Sequence, residues 1–389
     1  MIHVKDKSLA VLEDTYASPL FLNTLIRECI PAFAKGERLI EEFKTHCQGL
    51  KLLDKIDALN IIAQPDSKLL LNSEIFLPCL IDHGDPAKAD AIRIFKDKIK
   101  FRQLLSRFFP DYFFTQAEPD ELGVINLPLG KNFVIKPSSG FSGIGVKGVK
   151  GTKDLHEKVD DLLSEMEQNA ESFSSELLNS NRFLIEEHIK GEEIACDAYF
   201  NSIGEPVILG IYDHPQLEDD FRDILYYTSS DLVKKMHPRI EDFLRRLSSQ
   251  MAVKNFPLHA EFRLQRNRLL PIEINPMKFG SFSLPDLTFF AFNLNPYRYY
   301  YNDLKPEWKD LLSKAEDKIL FRVLSRLDAK AAEGQKPDHD EFASAFPDLV
   351  GYCKLDLKRY PAFSIAFGQA YKADELKRYL RMNFNDYIS

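Results

Sequence analysis

The sequence predicts a mixed protein in three parts: an α/β domain over residues 1–90, an α+β body over 91–305, and a small α+β extension over 306–389. Three observations lead there. Short apolar runs alternate with helical patterns up to about residue 90. Beyond that point strand patterns come as hairpins mixed with helices, without strict alternation. From about Tyr297 an aromatic run and then a polar break interrupt the pattern. The 389 residues, 44% hydrophobic and 28% charged, suffice for two or three cores.

In the first part, Leu9–Leu12, Ile61–Ala63 and Leu69–Leu71 are apolar runs, with a helical pattern over Pro19–Ala34. An incomplete sheet of this kind presents ligands at the carboxyl ends of its strands. Asn72, Ser73 and Glu74 follow such a run. They read first as a strand-to-helix cap, with a substrate-facing tripeptide as the alternative. Residues 87–109 read as one amphipathic helix ended by Pro110, with Lys96, Lys98 and Lys100 on a solvated basic face.

The stretch Lys131–Val149, KNFVIKPSSGFSGIGVKGV, organises the body. Phe133–Ile135 reads as a strand and Gly145–Val149 as its antiparallel return. The segment between them, with Gly140 and Gly143, is then a hairpin loop and not a strand-to-helix turn. Glycines let such a loop fold over phosphates as a lid, where backbone N–H groups and the Ser138, Ser139 and Ser142 hydroxyls reach the oxygens. Lys136 stands on the entering strand as a point charge. A purely structural hairpin remains open on these residues alone.

A helix marked by Leu155, Val159, Leu162, Leu163 and Met166 follows, then a strand over Phe183–Ile185 and the segment Glu186–Glu193. Ile194–Phe200 and Val207–Tyr212 form a hairpin through Asn201–Glu205, and Pro238 opens a further helix. Beyond it lie Leu258–Leu264, LHAEFRL, and Pro271–Asn275, PIEIN, joined by a polar turn. Alternation puts His259, Glu261 and Arg263 on one face, and Glu273 with Asn275 on one face of the next strand. Two readings stand. The hairpin faces solvent with Glu261 pairing Arg263, or Glu261, Glu273 and Asn275 form an oxygen-rich cluster suited to Mg²⁺.

The formal charge of −8 argues against a general nucleic-acid binder. Cys29, Cys47, Cys79, Cys196 and Cys353 contain no C-x-x-C pair, so neither a zinc site nor a disulfide framework is indicated. No run approaches the length needed to cross a bilayer, and a cytoplasmic location is expected.

Taken in order, these pieces resemble the ATP-grasp superfamily from about Asp97 to Ser283, roughly half the chain. Asp97-Lys98 is similar to the early lysine that contacts nucleotide phosphates, and Lys136 to the lysine before the glycine loop. IKPSSGFSGIGVKGV looks like the corresponding loop of D-alanine:D-alanine ligases. Glu186 and Glu193 have the spacing of the hinge, whose second acid takes the ribose hydroxyls; backbone groups near Glu187 to Ile189 are the implied adenine partners. Glu261 and Glu273-Ile274-Asn275 reproduce the metal set. The chain departs after Asn275: where biotin-carboxylase-like members place an arginine two residues on, Lys278 stands one position late. His259 matches a position where relatives carry a basic residue near the γ-phosphate.

The resemblance implies an ADP-forming carboxylate-amine ligase that uses ATP and Mg²⁺, one ion or two, with Mn²⁺ as a substitute. An acylphosphate formed on a small carboxylic acid, an amino acid or peptide, is attacked by an amine. Lys278, His259 and Arg263 are the implied catalytic residues, with Arg263 holding a carboxylate. Tyr212-Asp213-His214 and the acidic run Glu218, Asp219, Asp220 and Asp223 are candidates to receive an ammonium group, with a solvated loop as the alternative. A biotin-carboxylase-like carboxylase and a non-catalytic nucleotide-binding regulator are the other functions in view, and the sequence leaves a homodimer open. Residues 306–332 read as helical, Ala362–Ala370 as a strand and Ala373–Met382 as a closing helix.

Overall fold

The computed structural model describes residues 7–139, 145–168, 182–217, 223–327 and 334–389. The first layer contains β1 (Ser8–Leu12), α1 (Pro19–Arg27), β2 (Ala32–Ala34), α2 (Glu37–His46), α3 (Lys55–Ile62), β3 (Lys68–Leu71) and α4 (Leu77–His83). Its three strands are parallel in the order β2-β1-β3. β1 and β3 are buried along their whole length, as continuous apolar runs in a covered parallel sheet must be. Ser18 caps α1 by accepting from the Phe21 N–H, and Pro19 occupies the first turn.

Three expectations fail here. The α1 helix stops at Arg27, and Ala32–Ala34 turns into a strand beside β1. Ile61 belongs to α3, because Asp54 caps that helix and its apolar side packs on the sheet. The expected cap at Asn72–Glu74 also does not form: α4 starts at Leu77 without a side-chain cap. Asn72 instead accepts from the Glu13 N–H and donates to the Glu13 and Thr15 carbonyls, tying the ends of β3 and β1 together.

The single helix expected over 87–109 is two, α5 (Pro86–Lys96) and α6 (Lys98–Leu105). Asp97 breaks it with an extended backbone, and its carboxylate accepts from the Ile99 and Lys100 N–H groups to start α6. Four antiparallel strands then make the lid: β4 (Phe114–Ala117), β5 (Phe133–Pro137), β6 (Lys147–Val149) and, after α7 (Thr152–Gln168), β7 (Phe183–Glu187), in the order β4-β7-β5-β6. The β5–β6 hairpin pairs Phe133 with Val149, as expected. Gly140, Ser142 and Gly143 lie outside the described residues. The lid has its own core, including Phe133, Ile135, Leu155, Leu162 and Ile185.

The largest layer is an eight-stranded antiparallel sheet. It takes in β8 (Glu192–Phe200), β9 (Pro206–Asp213), β10 (Leu225–Ser229), α8 (Ser230–Met251), β11 (Phe256–Gln265) and β12 (Arg268–Pro276). Then come α9 (Leu284–Phe292), α10 (Pro296–Tyr301), α11 (Trp308–Lys314), β13 (Ile319–Arg326), α12 (His339–Ser344), β14 (Leu349–Lys354), β15 (Ala362–Ala370) and α13 (Lys377–Leu380). The order is β12-β11-β8-β9-β10-β13-β15-β14, so the chain after residue 306 extends the same sheet that carries the hairpin of β11 and β12. Residues 306–332 are therefore not one helix. A short helix ends at Lys314, and β13 is a central strand with buried Leu320, Val323 and Leu324. Nor does Pro238 start a helix; α8 begins at Ser230, capped by Ser229, with Pro238 inside it. Tyr300 and Tyr301 are buried, as the packing reading of the aromatic run expects, and the Tyr300 hydroxyl donates to the Leu69 and Asn255 carbonyls. Among the described residues no helix is long and apolar enough to cross a membrane.

Candidate active site

The hairpin of β11 and β12 pairs Glu261 with Glu273 and His259 with Asn275. Directly opposed residues share a face, so the two carboxylates and the amide meet, and Asn275 Nδ2 lies 3.4 Å from Glu261 Oε1. A bulge follows at once, since Phe262 pairs with Pro271 and Ile272 is left over. The carbonyls of Pro271 and Ile272 are thereby turned to Arg102, at 2.6 and 3.3 Å from its guanidinium nitrogens.

Burial raises the Glu261 carboxyl, and the facing Glu273 adds to it. Glu273 also loses hydration, but Lys98, Lys96, Lys136 and Lys278 outweigh that and hold it low. One carboxylate thus has lysines to balance it, and its partner has an unfavourable charge that a cation would relieve. Among the described residues no group of three His, Cys, Asp or Glu side chains is placed for a metal. The donor set is two carboxylates and an amide, which fits a hard cation completed by phosphate and water oxygens. The alternative pairing of Glu261 with Arg263 does not occur: Arg263 Nη2 turns to Glu193 Oε2 at 2.6 Å.

Lys96, Lys98 and Lys136 all act on Glu273. Lys96 is buried, 2.6 Å from Glu74 Oε2 and 4.0 Å from Glu273 Oε1, so it is no part of a solvated face. Lys98 is lowered by burial and by the charges of Lys136 and Lys96. Its N–H donates to the Ser138 carbonyl at 2.7 Å, joining α6 to the start of the lid loop. Lys100 is exposed and pairs with Asp97. Ser138 and Ser139 are both buried at the mouth of the loop.

At the hinge, Glu186 is clamped between Lys136 Nζ, at 2.6 Å, and the Arg102 guanidinium. Burial alone would raise its carboxyl, yet the two cations bring it down to about 2. Several hinge backbone groups expected to meet adenine have protein partners. The Glu187 N–H donates to Phe113 O, Glu187 O accepts from the Tyr112 hydroxyl at 2.6 Å, and the His188 N–H donates to Asn132 O. The Glu187 carboxylate pairs with Lys131. Ile189 lines a small cavity with Arg102, Tyr112, Leu270 and Pro271. Glu193 is held by Arg263 on one oxygen and by His214 Nδ1, 2.7 Å away, on the other. His214 stacks on Tyr226 at 4.1 Å.

His259 lies opposite a fully buried acid, Asp197, on β8, with its Nδ1 2.8 Å from Asp197 Oδ1 and its Nε2 3.7 Å from Glu261 Oε1. Burial lowers His259, but Asp197 and Glu261 overcome it and raise its affinity for a proton. Lys278 is half-buried and donates to Ser281 Oγ at 3.0 Å. Of the residues considered for an ammonium group, Asp223 pairs with Arg322, and the Tyr212 hydroxyl donates to Asp197. Asp213 is buried and raised to about 6. Glu218, Asp219 and Asp220 lie outside the described residues.

Arg102, Asp197 and Arg322 were not singled out from the sequence. Only their position relative to other charges gave any signal: Arg102 lies four residues after Lys98 on the same helical face.

Residues 129–286 match the model of the ATP-grasp domain family. The chain as a whole has the ATP-grasp fold, which the sequence resemblance anticipated. No curated protein matches the sequence. Among solved structures, an L-amino acid ligase from Bacillus licheniformis is similar at a TM-score of 0.66 and 15% identity, covering 98% of this chain and 97% of that one. A biotin carboxylase from Campylobacter jejuni, in a complex with a nucleotide, follows at 0.65 and 11%, covering 98% and 91%. An N5-carboxyaminoimidazole synthase from Aspergillus clavatus, bound to ADP and its ribonucleotide, gives 0.63 and 12%, covering 97% and 98%. At these identities the likeness is one of fold.

Proposed function

We propose that the protein is an ATP-dependent, ADP-forming carboxylate-amine ligase working in the cytoplasm on a small carboxylic acid, of the amino acid or peptide class. The observation that carries the reading is the register pairing of Glu261 with Glu273 beneath Lys96, Lys98 and Lys136. Binding without turnover has no need of two opposed carboxylates, whereas phosphoryl transfer would use a cation held between them. Glu261, Glu273 and Asn275 would hold Mg²⁺, which would supply positive charge against the transferring phosphoryl group.

The remaining roles belong to the chain. Lys98 and Lys136 attract the phosphates, and Lys136 leaves Glu186 to do so, which Arg102 then holds alone. Glu193, fixed by Arg263 and His214, receives the ribose hydroxyls. Arg263 therefore acts on the nucleotide side and not as the substrate-carboxylate anchor first expected. The substrate carboxylate oxygen attacks the γ-phosphorus, the bond to ADP breaks, and an acylphosphate forms. His259, braced by Asp197, and Lys278 stand beside Glu261 and Glu273 to balance the developing charge. An amine nitrogen then adds to the acyl carbon, phosphate departs, and the nitrogen gives up its proton. The lid excludes water, which would hydrolyse the acylphosphate.

The test is ADP and phosphate release from Mg-ATP with a panel of amino acids, dipeptides and simple acids, with mass detection of amides. Release that requires both an acid and an amine supports the ligase. Release with bicarbonate and biotin alone replaces it with the carboxylase reading, and ATP binding without turnover with the regulatory one.

A further inference from the structure

We propose that His214 is a nucleotide-binding residue whose Nε2 accepts a hydrogen bond from one of the two vicinal ribose hydroxyls, while Glu193 takes the other; the inference rests on the ATP-site reading above and divides between two residues what that reading gave to Glu193. His214 is 5% exposed, and its Nε2 is buried with no hydrogen-bond partner among the described residues. A buried polar atom left unpaired costs stability, and native proteins keep few of them. Beside a ligand site, such an atom is explained by a partner that arrives with the ligand.

Strand register places it. Arg263 on β11 is opposite Glu193 on β8, and at the end of β9 the His214 N–H donates to Glu193 O at 2.9 Å. Tyr227 pairs with Asp213, which sets Tyr226 on β10 beside His214, and Tyr226 is opposite Arg322 on β13. Arg263, Glu193, His214, Tyr226 and Arg322 therefore form one row across the sheet. Glu261 is two residues from Arg263 and shares its face, so the row runs alongside the Glu261–Glu273 pair. His214 is thus the next side chain after the ribose acid on the face that carries the carboxylates.

The ring is fixed and its hydrogen is placed. It stacks on Tyr226 with centroids 4.1 Å apart and planes 10° from parallel. Nδ1 lies 2.7 Å from Glu193 Oε1, whereas Gln216, whose own Oε1 accepts from Arg263, is farther from it at 3.4 Å. A carboxylate bound to Arg263 offers only lone pairs, so Nδ1 carries the hydrogen and the neutral ring presents a lone pair at Nε2. That lone pair needs a donor. Ionised phosphates have none, and a ribose has two on adjacent carbons. Both oxygens of Glu193 are already engaged, Oε1 by His214 and Oε2 by Arg263, so a second acceptor beside it suits a vicinal diol.

The experiment measures binding of ADP, 2′-deoxyADP and 3′-deoxyADP to the full chain with Mg²⁺ by calorimetry, for the protein and for His214→Asn and His214→Gln. The amide N–H of the first variant stands in for Nδ1 and keeps Glu193 in place, and the amide carbonyl of the second stands in for Nε2. The parent protein should bind each deoxy analogue about tenfold or more weaker than ADP. His214→Asn should lose one of these two penalties and keep the other, and His214→Gln should keep both. A merely structural histidine would weaken ADP and both analogues by one common factor in both variants, which overturns the proposal. Equal affinities for the three nucleotides in the parent protein overturn it too. A loss in His214→Asn that is larger for ADP than for adenosine, with both penalties intact, assigns Nε2 to phosphate and overturns it as well. Failure to bind ADP at all defeats the ATP-site reading and this proposal with it, whereas ADP bound without regard to its sugar hydroxyls defeats this proposal alone.

Discussion

Lys136 and Glu186 are cross-strand neighbours in the lid, 2.6 Å apart at Nζ and Oε1, and the same carboxylate is bound by Arg102 from α6. A lysine suited to phosphate is thus held at the hinge by a carboxylate that has a second cation to fall back on. All three side chains are buried, so removing the shared anion leaves two charges without their partner.

Glu186→Gln is therefore expected to lower unfolding stability by about 3–5 kcal/mol, measured by urea denaturation at pH 7. The pH dependence has a definite sign. The folded carboxyl titrates at about 2 against an ordinary 4.5, so its contribution is complete above 4.5 and is lost as pH falls toward 2. The variant should show a shallower acid limb over that window. An unaltered limb would contradict the clamp.

Arg263 holds Glu193 at 2.6 Å, and the two are directly opposed on β11 and β8. Arg263→Met should weaken ATP binding about tenfold, equivalent to roughly 1.4 kcal/mol, read as the ATP dissociation constant by calorimetry. Little change would return Arg263 to the acid-binding role first expected of it.

Asp286 is buried and accepts from the Ser18 hydroxyl at 2.9 Å; burial outweighs its hydrogen bonds and raises it from 3.8 to about 7. An acid raised on folding keeps its full stability below 3.8 and loses it as pH rises toward 7. Asp286→Asn escapes that loss. Its stability relative to the parent protein should climb between pH 4 and pH 8 by about 1 kcal/mol or more, measured by thermal melts across the range. A difference that does not grow with pH would show that Asp286 keeps no raised affinity for its proton.

Much of this site was legible because it lies on hairpins. In Glu261, Glu273 and Asn275 the two-residue alternation assigns faces, and the short polar turn brings them opposite each other. Lys136 was legible from its place at the end of the strand that enters the lid hairpin. What stayed hidden are partners from distant elements: Arg102 reaches Glu186 across 84 positions, Asp197 reaches His259 across 62, and Arg322 reaches Asp223 across 99. Local pattern carries no trace of such pairs. Lys96 was misread because a basic residue on an amphipathic helix looks solvated until Glu74 closes over it. Pro238 misled in the opposite way, as a helix-start residue that stands inside a 22-residue helix. β13 was taken for helix although tertiary pairing on both edges, with β10 and β15, makes it strand.

The central claim, that Glu261 and Glu273 serve phosphoryl transfer, is tested most directly by comparing Mg-ATP turnover in the parent protein and in Glu273→Gln, with an acid and an amine present. Turnover should fall by about 100-fold or more, while the melting temperature changes little, because Glu273 is partly open to the cleft. Turnover equal to that of the parent protein would remove Glu273 from the metal site and the ligase mechanism with it.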